Sequence, residues 1–107
     1  MKGLINNGNT CYFNTAVQCL LYIPVLSNYF LKCAYVGECE FTQLYSHLVA
    51  IYWKNGKEMI NAKPLLESFK KKFPRFKSNE QHDVQEAILC IIDIIERAVP
   101  NIKPWFY

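Results

Sequence analysis

Apolar residues recur three and four positions apart along most of this chain, and nowhere do they alternate convincingly at period two. Between Cys11 and Ile23 the apolar positions Phe13, Ala16, Val17, Leu20 and Leu21 predict a helix. Pro24 stops it and can open a short second helix through Val25 to Cys33, because a first helical turn does not use the N–H that proline lacks. Ala34 to Cys39 contains Gly37 and reads as loop. Glu40 to Lys54 carries Phe41, Leu44, Tyr45, Leu48, Ile51 and Tyr52 on one face, with Gly56 as an end signal. A fourth helix is expected from about Lys63 to Phe73, with Asn61 placed to cap it, Pro64 in its first turn and Pro74 at its end. Arg75 to Ser78 reads as loop. The last helix is expected from Asn79 to Val99, where Val84, Ile88, Ile91, Ile92, Ile95 and Val99 form a sustained stripe closed by Pro100. The expectation is a mainly α chain of about five helices, with no internal repeat and no domain boundary.

Composition narrows the class. The 107 residues are 51% apolar and 20% charged, which excludes a disordered chain, and four Gly and five Pro exclude collagen-like and low-complexity classes. Seven Tyr, seven Phe and two Trp point either to an aromatic-rich core or to a surface that something else covers. The tail, Lys103 to Tyr107, ends on three aromatics and reads as a chain interrupted before its fold is finished. No stretch approaches the roughly 18 uninterrupted apolar residues of a membrane span, so no membrane partner is expected.

The net charge of +3 is too mild to argue for nucleic acid. Lys70, Lys71, Lys72, Arg75 and Lys77 cluster, and the cluster reads as a solvated helix end with its following loop. The five cysteines are odd in number and form no CxxC pair, which argues against a disulfide framework and a structural zinc site. Neither a metal nor a cofactor is expected. With no basic-then-apolar leader, the expected compartment is intracellular, cytoplasmic or nuclear.

Two segments could carry chemistry. Asn6-Asn7-Gly8-Asn9-Thr10 places a turn-rich loop before Cys11, at the first turn of a helix. There the helix dipole and unused backbone N–H groups favour a thiolate, the form a nucleophile needs. The amides of the loop could donate to a developing oxyanion. The plainer reading makes Cys11 a small buried hydrophobe. The second segment is Asn79-Glu80-Gln81-His82-Asp83-Val84-Gln85-Glu86. Helix capping explains Asn79, Glu80 and Asp83, but not Gln81, His82, Gln85 and Glu86 together.

These segments resemble a known family. Gly3 to Leu20, reading GLINNGNTCYFNTAVQCL, is similar to the cysteine box of the ubiquitin-specific proteases, which are papain-like cysteine peptidases. Gln81-His82-Asp83-Val84-Gln85-Glu86 resembles their second box, and Asn61-Ala62-Lys63-Pro64 with the Phe69 helix resembles the looser stretch between. The resemblance runs from Gly3 to about Glu96. It implies that residues 1–107 are a partial catalytic domain, the helical thumb of a hand-shaped α+β fold whose palm and fingers are absent. It implies Cys11 as nucleophile and Asn6 as an oxyanion-hole donor. It also implies that Gln81, His82 and Asp83 line the channel for ubiquitin's C-terminal tail, with Asp83 meeting the arginines of that tail.

The departures bear on function. The family's general base is a histidine in a later box, whereas the two histidines here are His47, in the third helix, and His82, in the second box. The paired CxxC motifs of the fingers are missing. Ala87 stands where the family usually carries a larger apolar residue, which would loosen local packing. The expected function is a thiol-dependent deubiquitinase acting on ubiquitin or a ubiquitinated protein, with the base supplied from outside these residues, for instance by a complementing palm-and-fingers chain. The alternative is a non-catalytic thumb that holds ubiquitin's tail or a partner chain. A third reading, independent of the resemblance, is a small helical protein whose Lys70–Lys77 loop touches an acidic surface, which salt would weaken.

Overall fold

The computed structural model describes residues 11–33, 35–54, 62–76 and 82–100. They form α1 (Cys11–Leu21), α2 (Pro24–Lys32), α3 (Glu40–Lys54), α4 (Lys63–Lys72) and α5 (Val84–Ala98), with a single 3₁₀ turn at Pro74–Phe76 between α4 and α5. The mainly α expectation holds, and no strand occurs among the described residues. Gly56, Asn61 and Asn79, read as end and cap signals, lie outside them.

The helix ends follow local chemistry. Pro24 occupies the first turn of α2. The Ser27 hydroxyl donates to the Leu21 carbonyl at 2.6 Å, giving a partner to an acceptor that the end of α1 leaves unused. The Cys33 N–H closes α2 on the Tyr29 carbonyl at 2.8 Å. Before α3, the backbone at Gly37 passes so close under the Tyr35 ring that a Cβ there would collide with it. That ring's hydroxyl accepts from the Cys39 N–H at 3.2 Å.

Two caps differ from expectation. The residue preceding α4 is Ala62, which offers no capping side chain. α5 starts at Val84, not Asn79, because Asp83 is extended (φ −71°, ψ 125°) and its Oδ1 accepts from the Gln85 N–H at 2.8 Å. A carboxylate there satisfies one of the orphan N–H groups and meets the positive end of the dipole. Lys70, Lys71 and Lys72 fill the last turn of α4, the end where cations are favoured.

The core is aromatic. Phe13, Phe41, Tyr45, Tyr52, Phe69 and Phe76 are all fully enclosed. Phe69 is the hub, with ring centroids 5.1 Å from Phe13, 6.2 Å from Phe41 and 4.9 Å from Phe76. α1 packs most extensively on α5, and α3 packs on α2, α4 and α5. Ala87 is 0% exposed, so its small side chain leaves no opening to solvent. Tyr22, Val25, Val36, Trp53 and Leu89 remain exposed, so the aromatic excess serves the core first without being used up there. No described helix is long and apolar enough to cross a membrane.

Candidate functional site

Cys11 opens α1 and is exposed, so the reading of it as a buried hydrophobe fails. The face that α1 buries is Tyr12, Phe13, Ala16, Val17, Leu20 and Leu21, and helical geometry turns Cys11 away from it. Asn6 and Gln81 lie outside the described residues.

His82 comes to the same end of the molecule. Its ring lies edge-on to Tyr12, centroids 5.0 Å apart, and to Phe76 at 4.9 Å. Tyr12 and Phe76 stack at 5.8 Å with their planes 20° apart. Tyr12 is the chain neighbour of Cys11, so this three-ring cluster joins the start of α1 to the segment leading into α5. His82 Nε2 and the Tyr12 hydroxyl are buried and meet no hydrogen-bond partner among the described residues. Burial pushes the Tyr12 phenol above its ordinary range. Asp83 follows, exposed, with Oδ1 engaged on the Gln85 N–H. A carboxylate has further lone pairs, so the cap leaves capacity for an external donor. The structure therefore brings Cys11, His82 and Asp83 to one region. His47 does not join them: it lies exposed on α3.

Periodicity and spacing did not reveal Arg75, which reads as part of a solvated basic cluster. The structure makes it a fastener between the 3₁₀ turn and α5. Its Nη2 lies 2.8 Å from Glu86 Oε1 and donates to Cys90 Sγ at 3.1 Å. Its guanidinium sits over the Phe76 ring, 5.1 Å from the centroid. The ion pair is half exposed, and such pairs are worth about 0.2–1 kcal/mol. Its main effect is geometric. Burial pushes the Cys90 thiol up, against the opposing pull of Arg75. The aromatics flanking Arg75 in Phe73-Pro74-Arg75-Phe76 were the available signal, since guanidinium groups favour aromatic faces.

Two clefts lie away from this region. One of about 460 Å³ is lined by Cys39, Lys72, Phe73, Asp93 and Arg97. The other, about 300 Å³, lies between Tyr22, Leu31 and Trp53. Among the described residues no group of three or more His, Cys, Asp or Glu side chains could hold a metal ion.

The family model described as ubiquitin carboxyl-terminal hydrolase matches residues 2–104. The chain belongs to that family. It is similar to ubiquitin carboxyl-terminal hydrolase 5 of Arabidopsis thaliana, 28% identical over 114 residues that cover 96% of this chain and 12% of the relative. Ubiquitin carboxyl-terminal hydrolase 15 of Xenopus tropicalis is 28% identical over 111 residues, covering 94% of this chain and 11% of the relative. Ubiquitin carboxyl-terminal hydrolase 9 of Arabidopsis thaliana is 28% identical over 112 residues, again with 96% and 12% covered. The chain thus spans about an eighth of the length of these curated relatives. Family membership agrees with the resemblance carried by the cysteine box and the second box, and the five-helix chain is consistent with a thumb-like piece of such an enzyme.

Proposed function

We propose that residues 1–107 are the thumb of a thiol-dependent deubiquitinase, with Cys11 as nucleophile. The observation that carries this is the exposed Cys11 at the first turn of α1, with its neighbour Tyr12 packed on His82 at the approach to α5. The thiolate attacks the carbonyl carbon of ubiquitin's terminal glycine. The Asn6 amide donates to the oxyanion of the tetrahedral intermediate, an interaction that strengthens as charge develops. Collapse breaks the C–N bond, the amine leaves with a proton from the general acid, and water hydrolyses the thioester. Gln81, His82 and Asp83 line the tail channel, and Asp83 accepts from an arginine of the tail.

The proton carrier is a histidine outside these residues. A base must hydrogen-bond the thiol and be oriented by a third group. His82, packed edge-on against two aromatic rings, and His47, exposed on α3, fit that role poorly. The same observation favours a second reading, a thumb that holds a tail or a partner chain without turnover.

Labelling with ubiquitin that carries a C-terminal electrophile separates the two. A covalent adduct on wild type that disappears in Cys11→Ala supports the nucleophile. A folded protein that binds ubiquitin without forming the adduct supports the second reading. Adduct formation in Cys11→Ala would refute the assignment of Cys11.

A further inference from the structure

We infer that Arg75 is a positioning residue: by tying the Pro74–Phe76 turn to Glu86 and Cys90 of α5, it sets where Phe76 holds His82 against Tyr12, and so how the second box meets the start of α1. The role in ubiquitin capture rests on the thumb reading above.

His82 Nε2 meets no hydrogen-bond partner among the described residues, and neither does the Tyr12 hydroxyl. Ring packing on Tyr12 and Phe76 places this histidine against the helix that begins at Cys11. Of its two packing partners, Tyr12 is fixed by α1 itself. Phe76 stands on a three-residue turn, and so short a turn has little rigidity of its own. One internal hydrogen bond closes the turn, from the Phe76 N–H to the Phe73 carbonyl at 3.0 Å.

Arg75 supplies the tie to α5. One nitrogen, Nη2, reaches both Glu86 Oε1 and Cys90 Sγ, one helical turn apart on α5. The guanidinium meanwhile sits over the Phe76 ring. Lysine keeps the charge but lacks the planar fork and the stacking surface. The basic run therefore divides: Lys70, Lys71 and Lys72 answer the dipole of α4, while Arg75 spans two elements.

The test uses the whole 107-residue chain as wild type, Arg75→Gln, Arg75→Lys and Glu86→Gln. Because the ion pair is half exposed, these variants should fold, and far-ultraviolet circular dichroism checks that. The first readout is the pair of His82 ring-proton NMR resonances, which the Tyr12 and Phe76 rings shift. The second is the rate at which a ubiquitin electrophile labels Cys11, divided by the rate for iodoacetamide at the same residue, mapped by mass spectrometry. Arg75→Gln should move the His82 resonances toward unshifted values. It should also lower the rate ratio by about tenfold, within the roughly hundredfold that an ångström of misplacement can cost. Arg75→Lys should recover part of both, and Glu86→Gln should shift both in the same sense. The proposal is overturned if folded Arg75→Gln keeps wild-type His82 resonances. It is equally overturned if the resonances move while the rate ratio stays at the wild-type value. If wild type is not labelled by the ubiquitin electrophile at all, the reading of Cys11 as a nucleophile that captures ubiquitin within this chain fails, while the His82 resonances still decide whether Arg75 sets the contact.

Discussion

The capping role of Asp83 and the tail-binding role proposed for it can be separated by a pair of substitutions. Its Oδ1 caps α5 through the Gln85 N–H at 2.8 Å, and its charge is proposed to meet an arginine of ubiquitin's tail. Removing the cap with Asp83→Ala costs about 1 kcal/mol, within a range of about 0.5–2. Asp83→Asn keeps a capping oxygen of comparable strength and loses only the charge–dipole part, about 0.3–1 kcal/mol. The residue is exposed, so the lower end of that range applies. With a urea m-value of about 2 kcal/mol/M, the midpoint should fall by about 0.5 M in Asp83→Ala and by about 0.2 M in Asp83→Asn. Hydrogen exchange at the Gln85 amide should quicken in the alanine variant alone. Ubiquitin capture follows a different order. A hydrogen bond to a charged group is worth about 1.5–3 kcal/mol, and exposure favours the lower end, so both variants should slow labelling by about tenfold. Circular-dichroism urea melts and timed labelling measure the two effects on the same samples. An asparagine variant that labels at the wild-type rate would show that the charge does not meet the tail. An alanine variant with an unshifted midpoint would show that the cap contributes nothing to stability.

Phe76→Ala should cost about 3–5 kcal/mol in urea unfolding, because the ring is fully buried against Tyr12, Phe69 and His82, whereas Phe73→Ala, at a half-buried ring, should cost clearly less. Equal losses would refute the central place given to Phe76. Burial raises the Tyr45 phenol, and burial together with the Tyr22 hydrogen bond raises Tyr52. The unfolded chain releases these protons near pH 10 while the folded chain holds them, so the contribution of these two tyrosines to stability should be constant below about pH 10 and fall as pH rises beyond it. Tyr45→Phe should flatten that fall. It should also gain about 1 kcal/mol at neutral pH, since the Tyr45 hydroxyl is buried without a partner among the described residues. Native iodoacetamide treatment should modify exposed Cys19 and Cys33 within the time that buried Cys90 stays intact, and urea should abolish the difference, as peptide mapping would show.

Local chemistry along the chain determined most of the helices. Pro24 starts α2 and Pro74 follows α4 because proline's fixed φ and missing N–H act within one turn, whatever the rest of the chain does. The span of α3, Glu40–Lys54, follows from a stripe whose 3.6-residue period is intrinsic to helix geometry. The two family boxes are likewise runs of adjacent residues, so Cys11 and Asp83 could be singled out from order alone. The start of α5 was not legible in the same way. Asn79 and Asp83 are both competent caps, and the choice fell to Asp83, which directly precedes Val84, with His82 just before it packed on nearby Phe76 and on Tyr12, a residue far away in the chain. Arg75 was hidden for a related reason. A charge run describes neighbours in sequence, whereas Glu86 and Cys90 become neighbours only when α5 folds back beside the turn. Sequence fixes what each side chain can offer to a partner. The tertiary structure decides which partner it meets, because those meetings depend on how helices distant in the chain pack together.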